Sequence, residues 1–283
     1  MLLSVRNIDI TINGERKVVS ETGFSIQSGD VVLLSGKNGC GKSTVIKMIM
    51  DDLDGGIKAF ADIEYDSYGN ITQSREARKN FNQRVCYVPQ ADDFEASHLL
   101  DCCLTSIITI PQISAPERYI LDFVTKHRFY TVCYSEADTV KLGIRDGYAK
   151  RLLARCGIDP AEAGQEDIKA ALFLSKNPER LSGGQKKIAN ILSAIVRCEY
   201  SDLLIIDEPL NALDYDNVRL FSNIINRIHL EQPDVGMIIV THCRALACLN
   251  RILTIENNTI TEERTQISCN SCFGEMDSNG YYI

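Results

Sequence analysis

The sequence predicts an α/β fold: a mostly parallel sheet as its core, an N-terminal antiparallel β subdomain, and an inserted helical subdomain. Three observations carry this. Short aliphatic runs at 31–34, 85–88, 203–206 and 237–240 each lead into polar residues, as expected of strands buried on both faces of a parallel sheet. Ahead of them, 2–12 and 18–26 alternate apolar and polar positions around Asn13-Gly14, a dipeptide favoured in hairpin turns. Between the second and third aliphatic runs lies a long stretch, 91 to about 180, with helical periodicity near Tyr148–Cys156 and with Pro111, Pro116 and Pro160 as breakers.

Taken in order, the hairpin comes first and is followed by Val31-Val32-Leu33-Leu34, which runs straight into a glycine-rich loop. Val45, Ile46, Ile49 and Leu53 then give the spacing of an amphipathic helix. Asp51, Asp52 and Asp54 read as its solvated end, closed by Gly55-Gly56. A second amphipathic helix is marked by Ile188, Ile191, Leu192, Ile195 and Val196. From about Glu263 the chain loses periodicity and reads as a loosely held tail. Residues 1–263 are therefore expected to form a single domain, with core 1–90 and 181–263 around a helical lobe 91–180, and 264–283 as the C-terminal tail.

Composition narrows the function classes. With 283 residues and 45% hydrophobic content, the chain can bury a sizeable core. A formal charge of −8 without a long basic run argues against nucleic acid or an anionic membrane as the main partner. Eleven cysteines are scattered rather than spaced as a framework, and no cleavable apolar leader is read after Met1. The expectation is a reducing, cytoplasmic compartment without disulfides. The longest apolar stretch, 99–113, carries Asp101 and Gln112 and is broken by Pro111, too short and too polar for a span of roughly 20 residues. Any membrane-crossing part is expected on another chain.

The strongest chemical signal is Gly36-Lys37-Asn38-Gly39-Cys40-Gly41-Lys42-Ser43-Thr44. It matches the pattern of a phosphate-binding P-loop, and it stands where one must, after a strand and before a helix. Glycines let the backbone turn sharply with its N–H groups pointing inward, and the helix dipole beyond them adds about half a positive charge. Lys42 is placed for the β- and γ-phosphates of a nucleoside triphosphate, and Ser43 for Mg²⁺, which prefers oxygen ligands. A second motif, Leu181-Ser182-Gly183-Gly184-Gln185, opens the later amphipathic helix. Ser182 is a good helix N-cap there whether or not an anion approaches. A third, the apolar run at 203–206, ends in Asp207-Glu208-Pro209; two carboxylates at a buried strand end need compensation, and a magnesium ion supplies it.

Together these motifs resemble the ATP-binding-cassette (ABC) family over residues 1 to about 260, and the fold that resemblance implies is a P-loop NTPase core. It implies a Mg²⁺-dependent ATPase completed by a second ABC subunit, either another copy or a related chain. Ser182, Gly183, Gly184 and Gln185 would then contact the ATP held on the partner's phosphate loop. Asp207 resembles the family's metal-organising aspartate and Glu208 its general base. Gln90, after Cys86-Tyr87-Val88-Pro89, resembles the glutamine that touches Mg²⁺ and the attacking water. His242, after the run at 237–240 and Thr241, resembles the histidine that contacts the γ-phosphate. Asn211-Ala212-Leu213-Asp214 matches the segment past the base, where Asp214 would couple the two sites.

Two departures stand out. The family commonly stacks adenine on an aromatic ring, yet the equivalent position counts back to Asn13, where there is none. The insertion between Gln90 and Leu181 is long, and the helix after Ser182 reads Lys186-Lys187-Ile188-Ala189-Asn190 instead of the arginine-containing form common in transporters. Cys40 reads as a neutral loop position, and Cys269 and Cys272 form a lone CxxC, a weak metal signal without a second pair. The resemblance implies the energising subunit of a transporter, peripheral at the cytoplasmic face through a separate membrane-spanning permease. The alternative it leaves open is a soluble ATP-driven clamp or assembly factor.

Overall fold

The computed structural model describes residues 1–90, 96–134, 147–210, 213–241 and 248–264. The chain divides into two compact units: Met1–Gln90 with Tyr200–Leu210 and Ile225–Ile283, and Ala91–Glu199 with Asn211–Ile224.

The first unit holds two sheets. Strands β1 (Leu3–Ile12), β2 (Arg16–Ile26), β4 (Ile57–Tyr65) and β5 (Gly69–Asn70) form an antiparallel sheet in the order β2-β1-β4-β5. The β1–β2 turn spans Asn13–Glu15, one residue longer than the dipeptide implies, because Ile12 pairs with Arg16. β4 was not expected, yet its alternation of Ile57, Ala59, Ala61, Ile63 and Tyr65 carries the period-two signal of a half-buried strand. The second sheet is six-stranded, adding β3 (Val31–Gly36), β6 (Val85–Val88), β7 (Leu203–Asp207), β8 (Gly236–Val240), β9 (Arg251–Glu256) and β10 (Thr259–Arg264) in the order β10-β9-β3-β8-β7-β6. All neighbours pair in parallel except β9 and β10, a hairpin turned by Asn257 and Asn258. The expected mostly parallel sheet is therefore present. β10 carries order one residue past Glu263, into the stretch read as tail.

Helices α1 (Lys42–Met50) and α2 (Arg75–Arg84) complete this unit. Val45, Ile46 and Ile49 of α1, Phe81 of α2 and inward residues of both sheets share one apolar core. α1 ends earlier than the sequence suggests. Asp51 adopts φ 61° and its N–H reaches the carbonyls of Lys47 and Met48, so the helix closes there and not at Gly55-Gly56. An aspartate tolerates this left-handed state better than most side chains, and Leu53 lies beyond the helix, packed against the core.

The second unit is helical: α3 (Leu99–Ile107), α4 (Pro116–Lys126), α5 (Gly147–Arg155), α6 (Gln165–Leu174) and α7 (Gly183–Ile195), with the start of α8 (Tyr215–Glu231). Pro116 begins α4 instead of breaking a helix, since proline's fixed φ and missing N–H suit a first helical position. α7 belongs to this unit, whereas the sequence reading placed it with the core. The reason is packing: Ile188, Ile191, Leu192 and Ile195 are fully buried, α7 lies against α3, and the Tyr119 hydroxyl of α4 donates to the Val196 carbonyl at 2.7 Å. No helix of the described residues is long and apolar enough to cross a membrane.

Candidate nucleotide site

Strand β3 delivers the loop Gly36–Gly41 at the C-terminal edge of the parallel sheet, and α1 begins at once after it. Two glycines here are obligatory. A Cβ on Gly36, at φ 149°, would lie 2.8 Å from the Ile255 carbonyl oxygen, and one on Gly41, at φ 106°, would lie 2.1 Å from Cγ1 of Val18. Gly41 is also the N-cap of α1, with no side chain capping the helix and no acidic residue in its first turn. The first N–H groups of α1 therefore present the positive end of the helix dipole without a side-chain cap, the setting in which phosphate oxygens bind.

Sheet register brings the acidic residues to this point. Val240 of β8 pairs with Leu34 of β3 on one side and Asp207 of β7 on the other. Glu208 N–H donates to the Val240 carbonyl at 2.9 Å, so the turn after β7 is tied to β8. Glu208 stands at φ 50°, a left-handed backbone that costs a non-glycine residue on the order of 1–3 kcal/mol and concentrates at functional sites.

Three charged groups converge, all buried: Lys42 5%, Asp207 1% and Glu208 7% exposed. Lys42 Nζ donates to the carbonyls of Gly36 at 3.1 Å and Lys37 at 3.4 Å, and stands 3.7 Å from Glu208 Oε1. Ser43 Oγ donates to Asp207 Oδ1 at 3.0 Å. Burying such charges is costly unless each finds partners. The Ser43 hydroxyl and Asp207 carboxylate form a hard-oxygen pair suited to Mg²⁺, which binds through one or two protein oxygens and takes the rest of its shell from phosphates and water. The described residues accordingly contain no group of three or more His, Cys, Asp or Glu able to cage an ion alone. On β6, burial first and then the charges of Asp207 and Asp52 push the Tyr87 hydroxyl up to about 12, so it stays neutral at neutral pH.

Gln90 is exposed two residues past β6, at the same edge of the sheet. Ser182, Gly183, Gly184, Gln185 and Asp214 belong to the helical unit. Ser182 caps α7 in a reciprocal box: Gln185 N–H donates to Ser182 Oγ at 3.4 Å, and Ser182 N–H to Gln185 Oε1 at 3.1 Å. Gln185 Nε2 also donates to the Val132 carbonyl at 3.1 Å. Ser182 and Gly183 are exposed and Gly184 half-buried, so this helix tip faces outward from its own unit. Asp214 accepts from Asn217 N–H at 2.9 Å, capping α8. His242, Asn211, Ala212, Cys269 and Cys272 lie outside the described residues. One neighbour of the loop was not foreseen: Arg16 Nη2 donates to the Gly39 carbonyl at 2.9 Å. Its only sequence signal is its place two residues before Val18 on one strand.

The family model for ABC transporters matches residues 19–211. The chain is 25% identical over 256 residues to the aliphatic sulfonates import ATP-binding protein SsuB of Zymomonas mobilis, covering 89% of this chain and 81% of that one. It is likewise 25% identical over 248 residues to the probable ATP-dependent transporter ycf16 of Antithamnion sp., covering 87% and 83%. Among solved structures, the dimeric bacterial ABC transporter cassette MJ0796 superposes with a TM-score of 0.64 at 18% identity, covering 93% of this chain and 98% of that one. A phosphate cradle, a carboxylate pair at the end of β7 and a family match from residue 19 to 211 agree: the chain belongs to the ATP-binding subunits of the ABC transporter family.

Proposed function

We propose that this chain hydrolyses ATP to drive a membrane transporter, pairing with a second copy or a related chain so that two ATP molecules close the pair and hydrolysis reopens it. The observation that carries this is the convergence of Lys42, Ser43, Asp207 and Glu208 at the end of β3 and β7. Lys42 and the N–H groups from Gly36 to Thr44 hold the phosphates. Magnesium held by Ser43 and Asp207 would neutralise charge on the β- and γ-phosphate oxygens. Glu208 orients the attacking water and takes its proton, while Gln90 and His242 fix that water and the γ-phosphate. Such a site works through positioning and charge, because phosphoryl transfer asks little covalent chemistry of the protein. Ser182, Gly183, Gly184 and Gln185 serve the nucleotide of the opposing subunit, and Asp214 links the two sites.

The relatives named as import ATP-binding proteins support a separate membrane-spanning permease and a place at the cytoplasmic face of its membrane. The decisive experiment is Glu208→Gln. Turnover should fall by about 10²- to 10⁴-fold, as for loss of a general base, while ATP stays bound and a species of twice the mass accumulates on size exclusion. Normal turnover would remove Glu208 from its role.

A further inference from the structure

Two adjoining clefts flank the phosphate loop within the first unit. The smaller, 130 Å³, is walled by Arg16, Lys17 and Gly39 on one side and by Glu256, Asn257 and Asn258 on the other. The larger, 440 Å³, continues past Ser35, Gly36 and Cys40 and shares the Glu256–Asn257 wall. Their position in the sheet bears on their use. In the order β10-β9-β3-β8-β7-β6, the carboxylate pair lies on one side of β3, at β7, and the clefts lie on the other, at the β9–β10 turn. A triphosphate is a linear chain. With its γ end directed at Glu208, its nucleoside end runs toward β9 and these clefts.

The smaller cleft is built rather than accidental. Its walls are tied together, Asn258 Nδ2 donating to the Lys17 carbonyl at 2.9 Å and Ser20 N–H to the Asn258 carbonyl at 2.9 Å. Arg16 and Val18, two apart on β2, share a face. Val18 packs against Gly41 and Arg16 bonds the Gly39 carbonyl, which fixes the guanidinium beside the loop. Neither cleft is lined by an aromatic ring. The planar group on offer is the guanidinium, which stacks on the π-face of any base.

We propose that Arg16 is the platform on which the nucleobase rests. This rests on reading Gly36–Thr44 as the triphosphate cradle. Because stacking on a guanidinium does not read base edges, this contact holds adenine and guanine nucleotides alike.

The test uses the full chain and calorimetric titration with two probes, adenylyl imidodiphosphate and inorganic tripolyphosphate, which lacks a nucleoside. Arg16→Ala should weaken the nucleotide by about 2- to 5-fold, the range for an exposed cation–π contact, and leave tripolyphosphate unchanged. Arg16→Tyr, which restores a planar face without the charge, should recover wild-type affinity for the nucleotide. Equal weakening of both probes would overturn the proposal and reduce Arg16 to a support of Gly39, and no change in either would overturn it too. If the unaltered chain binds neither probe, the triphosphate reading itself fails, an outcome separate from the other two.

Discussion

Glycine 41 illustrates how single atoms decide this site. Its missing Cβ leaves room for Val18, and its φ of 106° is one that side chains rarely adopt. Gly41→Ala combines a steric overlap with backbone strain, and we expect it to destabilise the protein by roughly 2–4 kcal/mol and abolish ATP binding. Gly14, at φ 74° with nothing within 4 Å of its would-be Cβ, is the control. Gly14→Ala should cost only about 1–2 kcal/mol and leave ATP binding intact. Urea unfolding and a nucleotide titration on the two variants check both statements. The motif pattern identified these loop residues directly. It did not identify Arg16, since a contact between residues 16 and 39 has no signature in local spacing.

At the scale of an element, α7 shows two demands met by one residue. Ser182 caps the helix through its hydroxyl, and the same hydroxyl stands at an exposed glycine-lined tip. The roles separate by substitution. Ser182→Ala breaks the reciprocal box and should lower stability by about 1 kcal/mol, read as a shift in thermal midpoint. Ser182→Asp keeps a capping acceptor and should leave that midpoint near the wild-type value, yet it sets a negative charge where a partner's γ-phosphate is expected, so ATPase activity should be lost. Retained activity in the aspartate variant would refute a phosphate contact at this tip. The cap was legible, because a serine before an apolar-periodic helix is a local signal. The company α7 keeps was not: its apolar stripe states that one face is buried, without saying against what.

Across the molecule, the β9–β10 hairpin is held to the sheet by Arg251. Its guanidinium is buried, donates to both oxygens of Glu262 at 3.0 and 2.8 Å and to the Ser25 carbonyl at 2.8 Å, and pairs with Asp30. The hydrogen bonds from Arg251 hold the Glu262 carboxyl below its ordinary value of 4.5. A depressed folded-state value means that the stabilisation is complete above about pH 4.5 and is lost as pH falls through the lower, folded value. We expect the protection factors of the β9 and β10 amides, which correct for the slowing of intrinsic exchange in acid, to fall below pH 4.5. Glu262→Gln should remove that acid dependence while exchanging faster at neutral pH. The consequence reaches the nucleotide, because the hairpin turn forms one wall of the cleft beside the phosphate loop.

The sequence by itself determined the chemistry: a glycine cradle, a lysine, a serine and two carboxylates lie in short contiguous runs whose spacing is local and therefore readable. It also determined the fold class, since strands buried on both faces show as unbroken aliphatic runs. Tertiary structure alone decided which of these runs stand side by side. Val240 lies between Leu34 and Asp207, and so sets the phosphate loop next to the carboxylates, only because β8 pairs with both β3 and β7. Strand order depends on long-range hydrogen bonding between chemically similar backbones, and nothing in a single run of Val, Ile and Leu specifies its neighbour. The same reason hid the cleft at Arg16, whose walls come from residues more than two hundred positions apart.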